Sequence, residues 1–135
     1  MLLVRNLFLR YQPHYSVREG KSDTSKAQNH LPWYDWDSPK EMKLPDKCNL
    51  VGVELTDEAI DLPSFNHPRQ AAYILGPEKG SLSPEIIEKC QHVIKIPTKF
   101  CLNVQIAGAI VMYDRIKSFG TFTKKPDLPG GADHE

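Results

Sequence analysis

The chain has 135 residues, the length of one domain, which can bury a hydrophobic core without disulfides or metal ions. Its 17 Lys and Arg residues balance its 17 Asp and Glu residues, so it lacks a global basic signature of nucleic-acid binding, although a local basic face is not excluded. Three cysteines (Cys48, Cys90 and Cys101) without paired spacing, no signal-peptide pattern and no long apolar run predict a cytoplasmic protein with reduced thiols and no membrane span.

The first third of the chain predicts one strand followed by a long polar segment. Residues 2–9 are mostly apolar and predict a buried strand. Residues 11–47 are polar and contain four prolines, which is typical of loops. The segment includes Trp33, Tyr34 and Trp36. Packing of these aromatic side chains on the domain is the favoured interpretation, and stacking on a nucleobase is the alternative.

The remainder alternates apolar runs with helical patterns. Apolar runs predict strands over residues 50–55, 71–75 and 93–96, and the uninterrupted run at 71–75 indicates burial on both faces of a sheet. Strands that alternate with helices predict an α/β fold with a mostly parallel sheet flanked by helices. We expect one domain over residues 1–120 and a flexible tail over residues 121–135.

Two helices are predicted between and after these strands. Ser83 is expected to cap a short helix that begins at Pro84 and runs to about Cys90. The longest helix is predicted over residues 102–118, with Gly120 as its stop signal. This helix is apolar almost all round and contains small residues, so we expect it to be buried on more than one side, as a dimer interface would explain.

Two strand-to-loop corners carry polar groups. One follows the 71–75 strand and contains Gly76 and Glu78; the other follows the 93–96 strand and leads to Asn103. Open α/β sheets bind ligands at the carboxyl ends of their strands, so two such corners predict one pocket. Each corner alone also fits an ordinary loop, and an Asn at a helix start normally caps the helix.

Taken in order, the two corners resemble the SpoU/TrmH-type RNA ribose methyltransferases of the SPOUT class. The family pattern has a strand with a Gly-x-Glu loop, then Ile-Pro, then Leu-Asn and a small-residue helix that ends in an aromatic residue and an acid. The resemblance covers residues 50–118. Its counterparts here are Ile74-Leu75-Gly76-Pro77-Glu78-Lys79-Gly80, Ile96-Pro97, Leu102-Asn103 and Tyr113-Asp114-Arg115.

The resemblance implies a C-terminal trefoil knot that binds S-adenosylmethionine, largely through backbone groups. It also implies a ribose 2′-O-methyltransferase that acts on tRNA or rRNA as a homodimer through helix 102–118. The positions that match the family's cofactor contacts are Leu55, Gly76, Ile96, Cys101 and Leu102, and those that match its polar active-site residues are Glu78 and Asn103.

The sequence departs from the family pattern at its N-terminus, where the motif with a catalytic Arg is not recognisable. Arg5, or Arg115 from a partner subunit, is the available counterpart. We therefore expect an N-terminally incomplete domain that lacks the family's first strand and helix. The alternative function is a non-catalytic or truncated SPOUT-fold module that binds the cofactor or RNA.

Basic residues could contact RNA phosphates, and a solvated surface is the alternative interpretation. The five histidines show no metal-ligand spacing, so no metal site is predicted. The basic residues in question are Arg10, Lys21, Lys26, Lys95 and Lys99.

Overall fold

The structure is a computed structural model that describes residues 7–10, 38–77 and 80–120, with residues 7–10 described by their backbone. Within these ranges there are five strands and two α-helices, and a 3-10 turn at Leu62–Ser64. The strands are β1 (Leu7–Arg10), β2 (Asn49–Val53), β3 (Ile60–Asp61), β4 (Ala71–Leu75) and β5 (His92–Lys95), and the helices are α1 (Pro84–Lys89) and α2 (Val104–Phe119).

The five strands form one sheet in the order β1-β4-β2-β5-β3, and every neighbouring pair is parallel. The predicted α/β fold with a parallel sheet is therefore confirmed. Val53 of β2 pairs with Leu75 of β4 on one side and with Ile94 of β5 on the other. The three central strands thus end at the same edge of the sheet.

The core lies on both faces of the sheet, because successive side chains of a strand point to opposite faces. On one face, Val51 and Tyr73 pack with Val111 of α2. On the other face, Leu50 and Ala72 pack with Ile86 of α1. The two helices consequently cover opposite faces. Ala71 to Ile74 are all buried, which confirms the interpretation of this run as a strand buried on both faces.

The ends of the helices follow local chemistry. The Oδ1 atom of Asn103 accepts a hydrogen bond from Gln105 N at 2.9 Å and caps α2, and Gly120 ends that helix in the left-handed conformation at φ 64°. Ser83 does not cap α1 through its side chain, contrary to expectation. Instead, the Ser83 carbonyl accepts from Ile86 N and Ile87 N, and Pro84 occupies the first helical turn.

Helix α2 is covered by the sheet on one side. Gly108, Val111 and Arg115 are its buried residues. The opposite side exposes Ile106, Ile110 and Tyr113, which we call the outer face of α2. Within the described part of the chain, therefore, the helix is not buried on more than one side.

A buried polar network fastens the C-terminal half of α2 to the sheet. His67 Nδ1 forms a hydrogen bond with the Tyr73 hydroxyl at 2.5 Å, and His67 Nε2 forms one with Asp114 Oδ2 at 2.9 Å. Arg115, which is 1% exposed, donates from Nη1 to the Tyr73 hydroxyl at 3.1 Å. It also donates to the carbonyl oxygens of Pro68 at 2.7 Å and Arg69 at 2.9 Å. We call this set the His67 network.

No helix in the described part of the chain is long and apolar enough to cross a membrane.

Candidate functional site

A cavity of about 440 Å³ lies where the three central strands end. Val53 of β2, Leu75 of β4 and Lys95 of β5 line it. Its volume is in the range of small-molecule sites, and its position is the one at which open α/β sheets bind ligands. The topology of the sheet therefore places a candidate ligand site at this edge.

Loops after β2, β4 and β5 complete the wall of the cavity. The two corners that were predicted from the sequence meet here, one at Gly76 and Pro77 and the other at residues 96–103. Six of the eight sequence-predicted site residues line this single cavity: Leu55, Gly76, Ile96, Cys101, Leu102 and Asn103.

Gly76 stands at the end of β4 without crowding around its Cα atom. A Cβ atom added there would lie 3.5 Å from Glu54 Oε2 and 3.5 Å from Leu82 N, which are ordinary contact distances. The fold thus has room for a methyl group at this position. This space lies beside the carboxylate of Glu54.

Asn103 combines capping with a place in the cavity wall. Its Oδ1 atom is used by the backbone of α2, as described above, whereas its amide nitrogen has no hydrogen-bond partner among the described residues. The side chain is exposed, so the amide N–H groups can be solvated or can meet a ligand.

Glu54 is a cavity residue that the sequence analysis did not identify. Its Oε2 atom accepts a hydrogen bond from Leu82 N at 2.8 Å, and its Oε1 atom accepts one from Leu55 N at 3.3 Å. The sequence did offer a reason to predict Glu54 as a ligand contact. Glu54 directly follows β2, and a polar residue at the carboxyl end of a parallel strand is a candidate ligand contact.

Lys95 also lines the cavity, but its ammonium group is held by the loop after β2. The Nζ atom donates to the carbonyl oxygens of Thr56 at 3.1 Å and Asp57 at 3.2 Å, and it lies 4.0 Å from Asp61 Oδ1. Lys99 was also predicted to contact RNA. It is exposed and takes no part in the contacts that hold Lys95.

The segment that follows β5 is fixed by a side-chain hydrogen bond. The Thr98 hydroxyl donates to the Phe100 carbonyl oxygen at 2.7 Å. The Phe100 side chain is 80% exposed, and the exposed Lys99 precedes it in the chain. Thr98 and Cys101 line the cavity on either side of these two residues, so Lys99 and Phe100 lie at its rim.

Several predicted residues lie outside the described part of the chain. Glu78 and Arg5, both predicted to be catalytic, are among them, and so are Lys21, Lys26, Trp33, Tyr34 and Trp36; Arg10 is described by its backbone alone.

Arg115, the suggested contribution of a partner subunit, does not line the cavity of its own chain. Its guanidinium group belongs to the buried His67 network. This placement gives Arg115 a structural role.

The three cysteines differ in their surroundings. Burial raises the pKa of the Cys90 thiol to about 11, although a hydrogen bond from the Gly52 backbone opposes this effect. Burial also raises the pKa of Cys48, against an opposing effect of the Arg115 charge. Cys101 is exposed and lines the cavity. In the described ranges, no three His, Cys, Asp or Glu side chains are grouped as metal ligands would be.

The sequence of this chain matches one protein family and resembles several known proteins. A model of the SpoU rRNA Methylase family matches residues 8–113. The mouse tRNA (guanosine(18)-2′-O)-methyltransferase TARBP1 is 25% identical over 77 residues, which are 55% of this chain and 5% of that protein. The crystal structure of the A. aeolicus TrmH/SpoU tRNA modifying enzyme aligns with 25% identity and a TM-score of 0.49, over 55% of this chain and 39% of that one. The chain thus spans a small part of the curated relative.

Proposed function

Because this chain belongs to the SpoU rRNA methylase family, we propose that it is an S-adenosylmethionine-dependent RNA ribose 2′-O-methyltransferase. The observation that carries the proposal is the cavity at the ends of β2, β4 and β5, because the residues that the family resemblance assigns to the cofactor line it. The cytoplasm, where the reduced cysteines are expected to persist, is the proposed location.

The residues of the cavity suit an adenosyl cofactor. Apolar side chains such as Leu75, Ile96 and Leu102 offer surfaces for a purine ring and a thioether chain, and Glu54 offers a carboxylate. Gly76 leaves the backbone accessible. When bound, the cofactor supplies a methyl group on a positively charged sulfur atom.

The protein must align the ribose hydroxyl and promote loss of its proton. Alignment lowers the barrier through orientation, by an amount that can reach several kcal/mol. We assign substrate positioning to Glu78 and Asn103, and stabilisation of the developing alkoxide to Arg5. Asn103 is suited to this because its amide N–H groups are at the cavity while its oxygen holds α2 in place.

RNA is the proposed substrate, and tRNA is the first RNA to test because the curated relative is a tRNA methyltransferase. Lys99 and Phe100 at the rim of the cavity can contact a phosphate and an unstacked base respectively, which is how single-stranded RNA is commonly bound.

We expect Phe100→Ala to weaken tRNA binding while cofactor binding stays unchanged, since Phe100 does not line the cavity.

We further propose that two chains associate through the outer face of α2, and that the segment from Ile96 to α2 forms the trefoil knot that the family resemblance implies. Exposed apolar side chains on the helix support the first proposal. The meeting of both loops at one cavity supports the second.

Calorimetric titration with S-adenosylhomocysteine, the product of the reaction, tests the proposal. We expect about one molecule bound per chain with micromolar affinity, a typical scale for a substrate or cofactor site. Gly76→Ala should fold normally but bind about tenfold more weakly, because it adds a methyl group to the cavity wall next to the Glu54 carboxylate. Absence of binding to a folded, monodisperse sample would contradict the proposal.

A second candidate function is a cofactor- or RNA-binding module without catalysis. It is favoured by the lack of an Arg side chain among the described residues that line the cavity. Transfer of a labelled methyl group to tRNA decides between the two, with Arg5→Ala as the first variant. Binding without transfer, under conditions where a related methyltransferase is active, indicates the module.

A further inference from the structure

Glu54 is held in a fixed position beside the cavity by two backbone donors. One is Leu82 N, 28 residues further along the chain, and the other is the adjacent Leu55 N. In both bonds a carboxylate oxygen is the acceptor, so the side chain is held at two points. The Oε2 atom lies near Gly76, where the cavity wall has no side chain.

The described wall of the cavity contains two charged side chains, Glu54 and Lys95. The Lys95 ammonium group is bound by two carbonyl oxygens and lies near Asp61. Glu54 is bonded to neutral N–H groups and has no cationic partner among the described residues. Among the described residues of the wall, its negative charge is therefore the one left to act on a ligand in the cavity.

We infer that Glu54 is a specificity-determining residue that favours a ligand with a positively charged sulfur over the same ligand with a neutral sulfur. This inference rests on the proposed function. S-adenosylmethionine and S-adenosylhomocysteine differ by one methyl group and one positive charge, whereas their adenosyl and amino acid groups are the same. A fixed carboxylate in a partly desolvated site attracts the charged ligand more strongly. Such a bias would help the product leave after methyl transfer.

The test compares the affinities of the two ligands by calorimetry, without any need for catalysis. We expect the wild-type chain to bind S-adenosylmethionine more tightly than S-adenosylhomocysteine. In Glu54→Gln, the amide oxygen can still accept from Leu82 N, so the loop is retained while the charge is lost. The preference for S-adenosylmethionine should then fall by roughly three- to tenfold, as expected for loss of one partly screened charge contact.

Two further variants distinguish the effect of the Glu54 charge from the effect of its hydrogen bonds on the fold. Glu54→Asp keeps the charge but shortens the side chain, so both affinities should fall while most of the preference remains. Glu58→Gln removes an exposed acid that does not line the cavity and should change neither affinity.

An equal loss of both affinities in Glu54→Gln, or the same ratio in Glu54→Asp and Glu54→Gln, would overturn the inference and leave Glu54 a purely structural residue. Failure of the wild-type chain to bind either ligand would instead overturn the proposed function, and the inference with it. A thermal unfolding curve for each variant shows whether weaker binding reflects a damaged fold.

Discussion

Asn103 has two tasks that can be separated by substitution. Asn103→Ala removes the cap of α2 and should lower the free energy of unfolding by about 1 kcal/mol. Asn103→Ser keeps a side-chain oxygen for Gln105 N, so most of this stability should return. If Asn103 also positions substrate, the Ser variant should fold and still transfer methyl groups much more slowly, because the amide N–H groups are absent. Urea unfolding and a methyl-transfer assay measure the two effects, and full activity of Asn103→Ser would contradict the second role.

Cys90 should make the protein sensitive to alkaline pH. Its thiol has a pKa of about 11 in the folded chain, against an ordinary value of 9.0, because burial disfavours the thiolate. The unfolded chain releases this proton more readily, so the contribution of Cys90 to stability is complete below pH 9 and is lost as the pH rises through 11.

We therefore expect the free energy of unfolding to fall between pH 9 and 11, as followed by urea titration. Cys90→Ser keeps a donor for the Ile86 carbonyl oxygen, which the thiol contacts at 3.2 Å, and should fall less over this interval. Tyr73 also has a raised pKa because of burial, so both proteins should lose further stability above pH 10. Identical pH profiles for the two proteins would show that Cys90 is not responsible.

Single residues of the site were predictable to different degrees. Gly76 and Asn103 were found because each stands in a local sequence pattern. The position of Glu54 directly after β2 was a usable signal, but its hydrogen bond with Leu82 N could not be predicted, since the two residues are distant in sequence.

The His67 network fixes the position of α2 on the sheet. Arg115→Ala removes three hydrogen bonds that a buried guanidinium group donates to Pro68, Arg69 and Tyr73. The free energy of unfolding should therefore fall by about 3 kcal/mol. Arg115→Lys should recover little, because a single ammonium group cannot span these acceptors as a planar guanidinium does.

Denaturant unfolding of both Arg115 variants tests this expectation. Lys117→Ala, an exposed change on the same helix, is the control and should alter the free energy of unfolding by less than about 0.5 kcal/mol. If Arg115→Lys is as stable as the wild-type chain, the positive charge at this position, and not the planar shape of the guanidinium group, stabilises the His67 network.

Apolar runs, proline and glycine predicted β2, β4, β5 and both helices to within about two residues, which is the usual ambiguity of element ends. Strand β3 was missed because two residues, Ile60 and Asp61, are too short to show a period. The His67 network was also beyond prediction, because His67 and Asp114 are 47 residues apart and meet only through the fold.

The exposed apolar side chains on the outer face of α2 predict that the chain associates with a second copy of itself. Ile106 and Tyr113 are 54% and 65% exposed in the single chain. Ile110→Glu places a charge between them and should convert a dimer into a monomer. Glu58→Lys, an exposed charge change outside α2, is the control and should leave the chain dimeric. Sedimentation velocity measures the difference, and a monomeric wild-type chain at micromolar concentration would refute the prediction.

The parallel sheet was predictable because strands and helices alternate along the chain. The strand order β1-β4-β2-β5-β3 was not, since apolar patterns say which segments are strands and not which ones are neighbours. The position of the cavity could nevertheless be predicted, because the carboxyl ends of parallel strands meet at one edge whatever their order.

Because the three thiols differ in their surroundings, Cys101 can report whether a ligand occupies the cavity. The thiolate is the form of cysteine that attacks a maleimide, so the raised pKa values of Cys48 and Cys90 should make both react slowly at neutral pH. Cys101, in contrast, is open to solvent at the cavity. A maleimide dye should therefore label Cys101 first, and S-adenosylhomocysteine should slow the labelling. Mass spectrometry of the tagged peptide would follow filling of the cavity in the unmutated chain, and equal labelling with and without ligand would place the ligand elsewhere.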